Sequence, residues 1–150
     1  MTALDIHATC LCLDGAGVLL RGASGSGKSD LALRLIEGGG ARLVGDDYCD
    51  FALRDGRLLV RPRAAGAGLL EVRGLGLLRL PDVWLAAETA VVAVIDLHPG
   101  PPADRLPEVR WTELWGVSLR HFVLDPAPPS AAAKVRLAVA LASGTMAALA

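Results

Sequence analysis

Lys28 and Ser29 close a run of eight residues, Gly22-Ala23-Ser24-Gly25-Ser26-Gly27-Lys28-Ser29, that fits the pattern G-x-x-x-x-G-K-[ST] throughout. Glycines at 22, 25 and 27 let the backbone turn its N–H groups inward around an anion. The unpaired N–H groups and positive dipole end of a following helix add to that attraction. The Lys28 ammonium can reach outer phosphates, and the Ser29 hydroxyl can ligate magnesium. The chemistry on offer is therefore the binding of a nucleoside triphosphate with its metal.

Such a loop needs a strand before it and a helix after it. Residues 17–21 read as a short buried strand, and residues 30–37 as a helix with apolar positions 31, 32, 35 and 36 on one side. A glycine-rich turn without that function would not need both flanks. Gly38-Gly39-Gly40 stops the helix, and residues 41–45 form a short apolar strand followed at once by Asp46-Asp47. Strand, crossover helix and strand predict a parallel, neighbouring pair with a right-handed connection. Asp46-Asp47 and the loop then share the carboxyl edge where open α/β sheets bind ligands. Two carboxylates are expected to face the phosphates, against the plainer reading of a solvated Asp turn.

The rest of the chain supplies the frame. Residues 6–13 predict a first strand, turned by Asp14-Gly15 into an antiparallel hairpin with the strand that feeds the loop, with His7 early in it. Residues 48–54 and 57–61 predict a second hairpin across Asp55-Gly56. Residues 62–68 form a loop, and 69–78 an apolar run carrying Glu71 and Arg73. Those two cannot both be buried unpaired, so Glu71 either pairs with an Arg or reaches a metal. Residues 91–96 read as a buried strand ending in Asp96, the outline of a Walker B segment, which competes with Asp46-Asp47 for magnesium. A proline-rich loop over 99–107 carries Asp104-Arg105. Trp111, Trp115 and residues 117–124 read as core material, and His98 and His121 as structural singletons. After Pro126-Ala127-Pro128-Pro129, Ser130 offers an N-cap to a closing helix over 131–149.

Composition narrows the class. With 53% hydrophobic and 21% charged residues, the 150-residue chain is globular and long enough for one domain with a proper core. A net charge of −1 gives no electrostatic case for nucleic acid. The longest uncharged stretch, 137–150, falls short of the ~20 residues that cross a bilayer, and no signal peptide is read at the start. Of three cysteines, Cys10 and Cys12 share a strand face; without a second Cys/His pair at ligand spacing they read as buried thiols rather than a zinc site. A reduced, cytoplasmic setting follows.

Four pieces together, His7, residues 22–29, Asp46-Asp47 and Leu70-Glu71-Val72-Arg73-Gly74-Leu75-Gly76, resemble the catalytic domain of bacterial HPr kinase/phosphorylase. The resemblance implies an ATP-dependent serine kinase acting on the phosphocarrier HPr, or its nitrogen-branch paralogue, in phosphotransferase-system regulation. It also implies the reverse reaction, in which inorganic phosphate removes the phosphoryl group as pyrophosphate. Gly22, Ala23, Ser24, Gly25, Ser26, Gly27, Lys28 and Ser29 would hold ATP, with Ser29 and Glu71 on Mg2+. Asp47 would take the serine proton and return one in reverse, supported by Asp46, with His7 beside the phosphates. Arg105, in Asp104-Arg105-Leu106, would match a catalytic Arg, leaving Asp96 an ordinary strand-end carboxylate. The fold implied is α/β, a P-loop-containing mixed sheet like that of phosphoenolpyruvate carboxykinase with a C-terminal helix, assembling as hexamers.

Residues 1–150 are expected to be a single catalytic domain without the family's N-terminal domain, similar to alphaproteobacterial short forms. Residues 130–136 keep Lys134 and Arg136 but lack the Gly and Asn of the family's C-terminal dephosphorylation loop. Two rival readings use the same loop: a small-metabolite kinase with Asp96 as its metal acid, and a non-catalytic nucleotide sensor. The acids at 46, 47 and 71 weigh against the sensor, which needs no base.

Overall fold

The computed structural model describes residues 6–102 and 104–149. Strands β1 (Ala8–Leu13) and β2 (Ala16–Arg21) pair antiparallel from Leu13↔Ala16 to Ala8↔Arg21. Asp14 and Gly15 both adopt positive φ, 49° and 84°, as the two-residue turn requires. Helix α1 (Lys28–Glu37) and β3 (Ala41–Gly45) follow, then the hairpin of β4 (Cys49–Arg54) and β5 (Arg57–Pro62). A two-stranded ribbon, β6 (Leu69–Val72) and β7 (Gly76–Arg79), leads to β8 (Thr89–Leu97), β9 (Arg110–Leu114), β10 (Val117–Leu124) and helix α2 (Ala131–Ser143). The main sheet is mixed, in the order β3-β1-β2-β8-β10-β9, with the β4–β5 hairpin joined through β5 to the start of β8. Among the described residues no helix is long and apolar enough to cross a membrane.

The expected β2–β3 neighbourhood is not what forms. The tight Asp14-Gly15 turn commits one edge of β2 to β1, and β8 takes the other edge in parallel. Strand β3 therefore pairs antiparallel with β1. Two antiparallel steps restore direction, so β3 still runs parallel to β2 and ends at the same edge of the sheet. The carboxylates thus arrive beside the loop, one strand further away than a βαβ pair would place them.

Alternation along the strands makes two cores. Leu11, Leu13, Val18, Leu20 and Ile95 face the helices, meeting Leu31 and Leu35 of α1 and Val135 and Val139 of α2. Cys10, Leu19 and Val94 face the β4–β5 hairpin, meeting Cys49, Phe51 and Val60. Val91 lies on the Val94 side although the two are three residues apart. The pairing register with β2 slips between Gly17 and Val18, which inserts the extra β8 residue of a bulge. A Cβ on Gly17 would stand 2.6 Å from the Ala90 carbonyl oxygen, so this close approach needs glycine.

Cys10 and Cys49 are buried in this second core, as expected of structural thiols. Burial, first of all, pushes the Cys10 thiol well above its ordinary range. Other expectations need correction. Trp115 packs on Phe51 with ring centroids 5.6 Å apart, but Trp111 is exposed on the edge strand β9, with the Arg120 guanidinium over its ring. Helix α2 stops at Ser143 rather than at residue 149, because Gly144 turns left-handed (φ 78°) and Thr145 N–H donates back to Ala140 O. Ser130 makes no side-chain cap.

Candidate functional site

The P-loop spans the gap between the end of β2 and the first turn of α1. Gly25 and Gly27 take φ of 81° and 99°, and Ser26 N–H donates to Ala23 O at 2.9 Å, folding the loop onto itself. A Cβ on Gly22 would stand 2.4 Å from Ser26 Oγ, so the loop closes tightly there. The Lys28 side chain is 5% exposed and donates from Nζ to Gly22 O (2.7 Å) and Ala23 O (3.2 Å). No carboxylate lies within ion-pair distance of it among the described residues. A desolvated ammonium with only neutral carbonyl partners is costly, and it calls for an anion. Ser26 Oγ is also buried without a partner, a second polar atom left for a ligand to satisfy.

Asp46 directly follows β3 and reaches Ser29. Its carboxylate accepts from Ser29 Oγ at 3.0–3.1 Å and from Thr9 Oγ1 at 2.7 Å. With its proton given to Asp46, the Ser29 hydroxyl keeps its lone pairs for a cation. Thr9 is the residue that sequence reasoning missed. It lies on the helix-facing side of β1, in step with Leu11 and Leu13, and is fully buried. A lone hydroxyl in a buried apolar strand, two positions after His7, was the signal available. Thr9→Val should lower the unfolding free energy by about 1–2 kcal/mol, since the carboxylate loses one of its donors; urea denaturation followed by circular dichroism checks it.

Asp47 sits at the tip of a tight turn. Tyr48 N–H donates to Asp46 O at 2.8 Å, and Asp47 has φ of 67°, the features of a strained positive-φ γ-turn. His7 Nε2 lies 2.9 Å from Asp47 Oδ1, and both side chains are nearly half exposed. Asp47 O also accepts from Ala8 N–H at 3.3 Å, which ties the turn to the start of β1.

Glu71 comes from the ribbon. Leu70 is fully buried in the helix-side core and fastens β6 to it, whereas Glu71 is exposed. The conflict expected of a buried Glu and Arg does not arise, because Arg73 is exposed too. Glu71 makes no ion pair among the described residues. One cleft of about 470 Å³ is lined by Ser24, Gly25, Gly27, Lys28, Ser29, Asp47, Glu71 and Arg73, with Asp30, Leu33 and Val72. Among the described residues no three His, Cys, Asp or Glu converge on a metal cage of their own.

Arg105 is exposed in the loop between β8 and β9 and does not line the cleft. Residues 131–136 open helix α2, and Arg136 donates to Leu35 O at 2.7 Å, securing the C-terminal end of α1. The segment that does touch the P-loop precedes it: Pro126 lies against Gly27, and Arg34 donates to the carbonyls of Pro126 and Pro128.

Asp96 is fully engaged elsewhere. Arg21 grips it with two bonds, Nε to Oδ1 at 2.8 Å and Nη2 to Oδ2 at 3.0 Å, and His121 Nε2 lies 2.6 Å from Oδ2. Burial would raise its pKa, but the bonds from Arg21 and then His121 outweigh that and hold it below the ordinary carboxylate value. A depressed folded-state pKa gives stability that is present above the unfolded value and lost as pH falls through the folded one. Asp96→Asn should therefore cost about 1–2 kcal/mol near neutral pH, and the gap from the parent chain should close in acid, below the ordinary carboxylate range. Urea unfolding at a series of pH values measures it.

Residues 2–100 match the family model described as HPr Serine kinase C-terminal domain. The chain belongs to that family. HPr kinase/phosphorylases from Clostridium tetani and Clostridium beijerinckii are 40% and 45% identical over 79 residues, which is 53% of this chain and 26% of each relative. The match thus spans about a quarter of the length of these curated members of the HPr serine kinase family. The solved structure of the Hpr(Ser) kinase/phosphatase from Coxiella burnetii shares the fold, with a TM-score of 0.80 over 94% of this chain and 97% of that one at 24% identity. The mixed α/β sheet with its C-terminal helix is therefore the fold of the HPr serine kinase domain.

Proposed function

We propose that this domain transfers the γ-phosphoryl group of ATP to a serine hydroxyl of HPr or of its nitrogen-branch paralogue. The observation that carries this reading is the convergence of Lys28, Ser29, Asp47 and Glu71 on one cleft. Phosphoryl transfer asks a protein to align its reactants and offset charge. The loop amides and Lys28 hold the β- and γ-phosphates, an arrangement of fixed dipoles that needs no reorganisation during reaction. Asp47 accepts the serine proton as the serine oxygen bonds to the γ-phosphorus and the bond to the bridging oxygen of ADP breaks. His7 fixes the Asp47 carboxylate at 2.9 Å, and Asp46 holds Ser29. Magnesium, when bound by Ser29 and Glu71, would supply further neutralisation of the phosphate charge.

Run in reverse, protonated Asp47 returns its proton to the leaving serine oxygen while inorganic phosphate takes the phosphoryl group and leaves as pyrophosphate. A small-metabolite kinase would require Asp96 for its metal, and both oxygens of Asp96 are held by Arg21 and His121. The test mixes the protein with ATP, magnesium and purified HPr or its nitrogen-branch paralogue. Phosphoserine detected by mass supports the assignment; ATP binding without transfer to either protein overturns it. Phosphate added afterwards tests the reverse reaction through pyrophosphate release.

A further inference from the structure

The carboxylates of the cleft are bordered by apolar side chains that the domain leaves in water. Tyr48 directly follows Asp47 and is 57% exposed. Its ring is nevertheless held on two sides. The His7 ring lies 5.8 Å away at a tilt of 46°, and the Arg63 guanidinium lies 5.6 Å from the Tyr48 centroid. Arg63 is itself fixed, with Nε 3.1 Å from Asp50 Oδ1 and Nη2 donating to Cys49 O. Across the ribbon, Glu71 pairs in register with Leu77. Cross-strand partners project from the same face, so Leu77 stands beside Glu71 on one face of the ribbon, next to the cleft that Glu71 lines. Leu77 is 66% exposed.

Each acid of the cleft thus has a large apolar neighbour, one on the Asp47 turn and one on the Glu71 ribbon. An exposed aromatic side chain that is already immobilised loses little entropy on being covered, which is what contact residues of protein interfaces require. A small polar metabolite would gain nothing from such a border. From this we infer that Tyr48 and Leu77 dock the protein acceptor, seating apolar side chains that flank its serine, so that the hydroxyl is delivered to Asp47. The inference rests on the kinase reading above and names what that site recognises: a folded surface whose serine stands among apolar residues. Tyr48 adjoins Asp47 in the chain and is exposed, so a hydroxyl delivered to Asp47 by a protein brings that protein's surface beside the ring, which makes the acceptor the occupant of this surface.

Steady-state phosphorylation of HPr and its nitrogen-branch paralogue by Tyr48→Ala, Tyr48→Phe and Leu77→Ser tests the proposal. The Ala and Ser variants should raise KM for the acceptor by about tenfold at little cost in kcat, with ATP affinity unchanged, and Tyr48→Phe should restore the parent KM. An unchanged acceptor KM overturns docking. So does a loss confined to kcat, which would make the ring a brace for Asp47. So does a change of sedimentation coefficient with KM preserved, which would seat a second copy of the chain on Tyr48. If the parent protein phosphorylates neither acceptor, the kinase reading itself falls and this inference falls with it, an outcome distinct from normal phosphorylation by every variant.

Discussion

Asp47→Asn should reduce serine phosphorylation by roughly 10²–10⁴-fold, the contribution expected of a general base, while ATP binding stays nearly unchanged. The substitution is close to isosteric and suits its position. Asp47 lies at φ 67°, and Asn tolerates that region as well as Asp does. The backbone bonds that shape the turn, from Tyr48 N–H to Asp46 O and from Ala8 N–H to Asp47 O, involve no side-chain atom of residue 47. An amide oxygen can still meet His7. What disappears is the carboxylate that the kinase reading assigns to take the serine proton, while the neighbouring His7 stays in place. Nucleotide affinity should persist because Asp47 makes no hydrogen bond to the P-loop, whereas Asp46 does through Ser29. Single-turnover transfer and equilibrium titration with ATP separate the two effects. Loss of ATP binding in the variant would remove Asp47 from the role of base.

What could be read from sequence was whatever a few adjacent residues decide for themselves. The P-loop, its flanking strand and helix, and the turns at Asp14-Gly15 and Asp55-Gly56 are local choices, enforced by backbone angles that few residues adopt. The position of β3 was not local. It depended on which edge of β2 remained free, and that was settled by the hairpin before it and by β8 some seventy residues later. The shared direction of β2 and β3 survived the change of neighbour, which is why Asp46 still reaches Ser29. The burial of the run around Glu71 was not legible for a different reason. A run of leucines suggests burial, yet a two-stranded ribbon buries one face only, so Leu70 is inside while Glu71 and Leu77 are in water. Thr9 carried almost no signal, because its importance lies wholly in a bond to a residue 37 positions away.

Lys28→Met should lower affinity for ATP with magnesium by about 10–100-fold and leave the stability of the nucleotide-free protein little changed. The two outcomes follow from one observation: Lys28 is 5% exposed and, among the described residues, its ammonium is bonded only to the Gly22 and Ala23 carbonyls. Removing it strands those acceptors, but it also removes a desolvated charge, and the two costs act in opposite directions. With a triphosphate bound the balance changes. A hydrogen bond between charged partners is worth about 1.5–3 kcal/mol, roughly 10–150-fold in affinity, and the thioether offers none of it. Thermal unfolding reads both effects in one series. At ATP equal to 100 times its dissociation constant the parent should gain about 2.7 kcal/mol of stability, and the variant far less at the same concentration. Equal gains in the two proteins would mean that the phosphates do not rest on Lys28, and the cradle at residues 22–29 would no longer account for the buried charge.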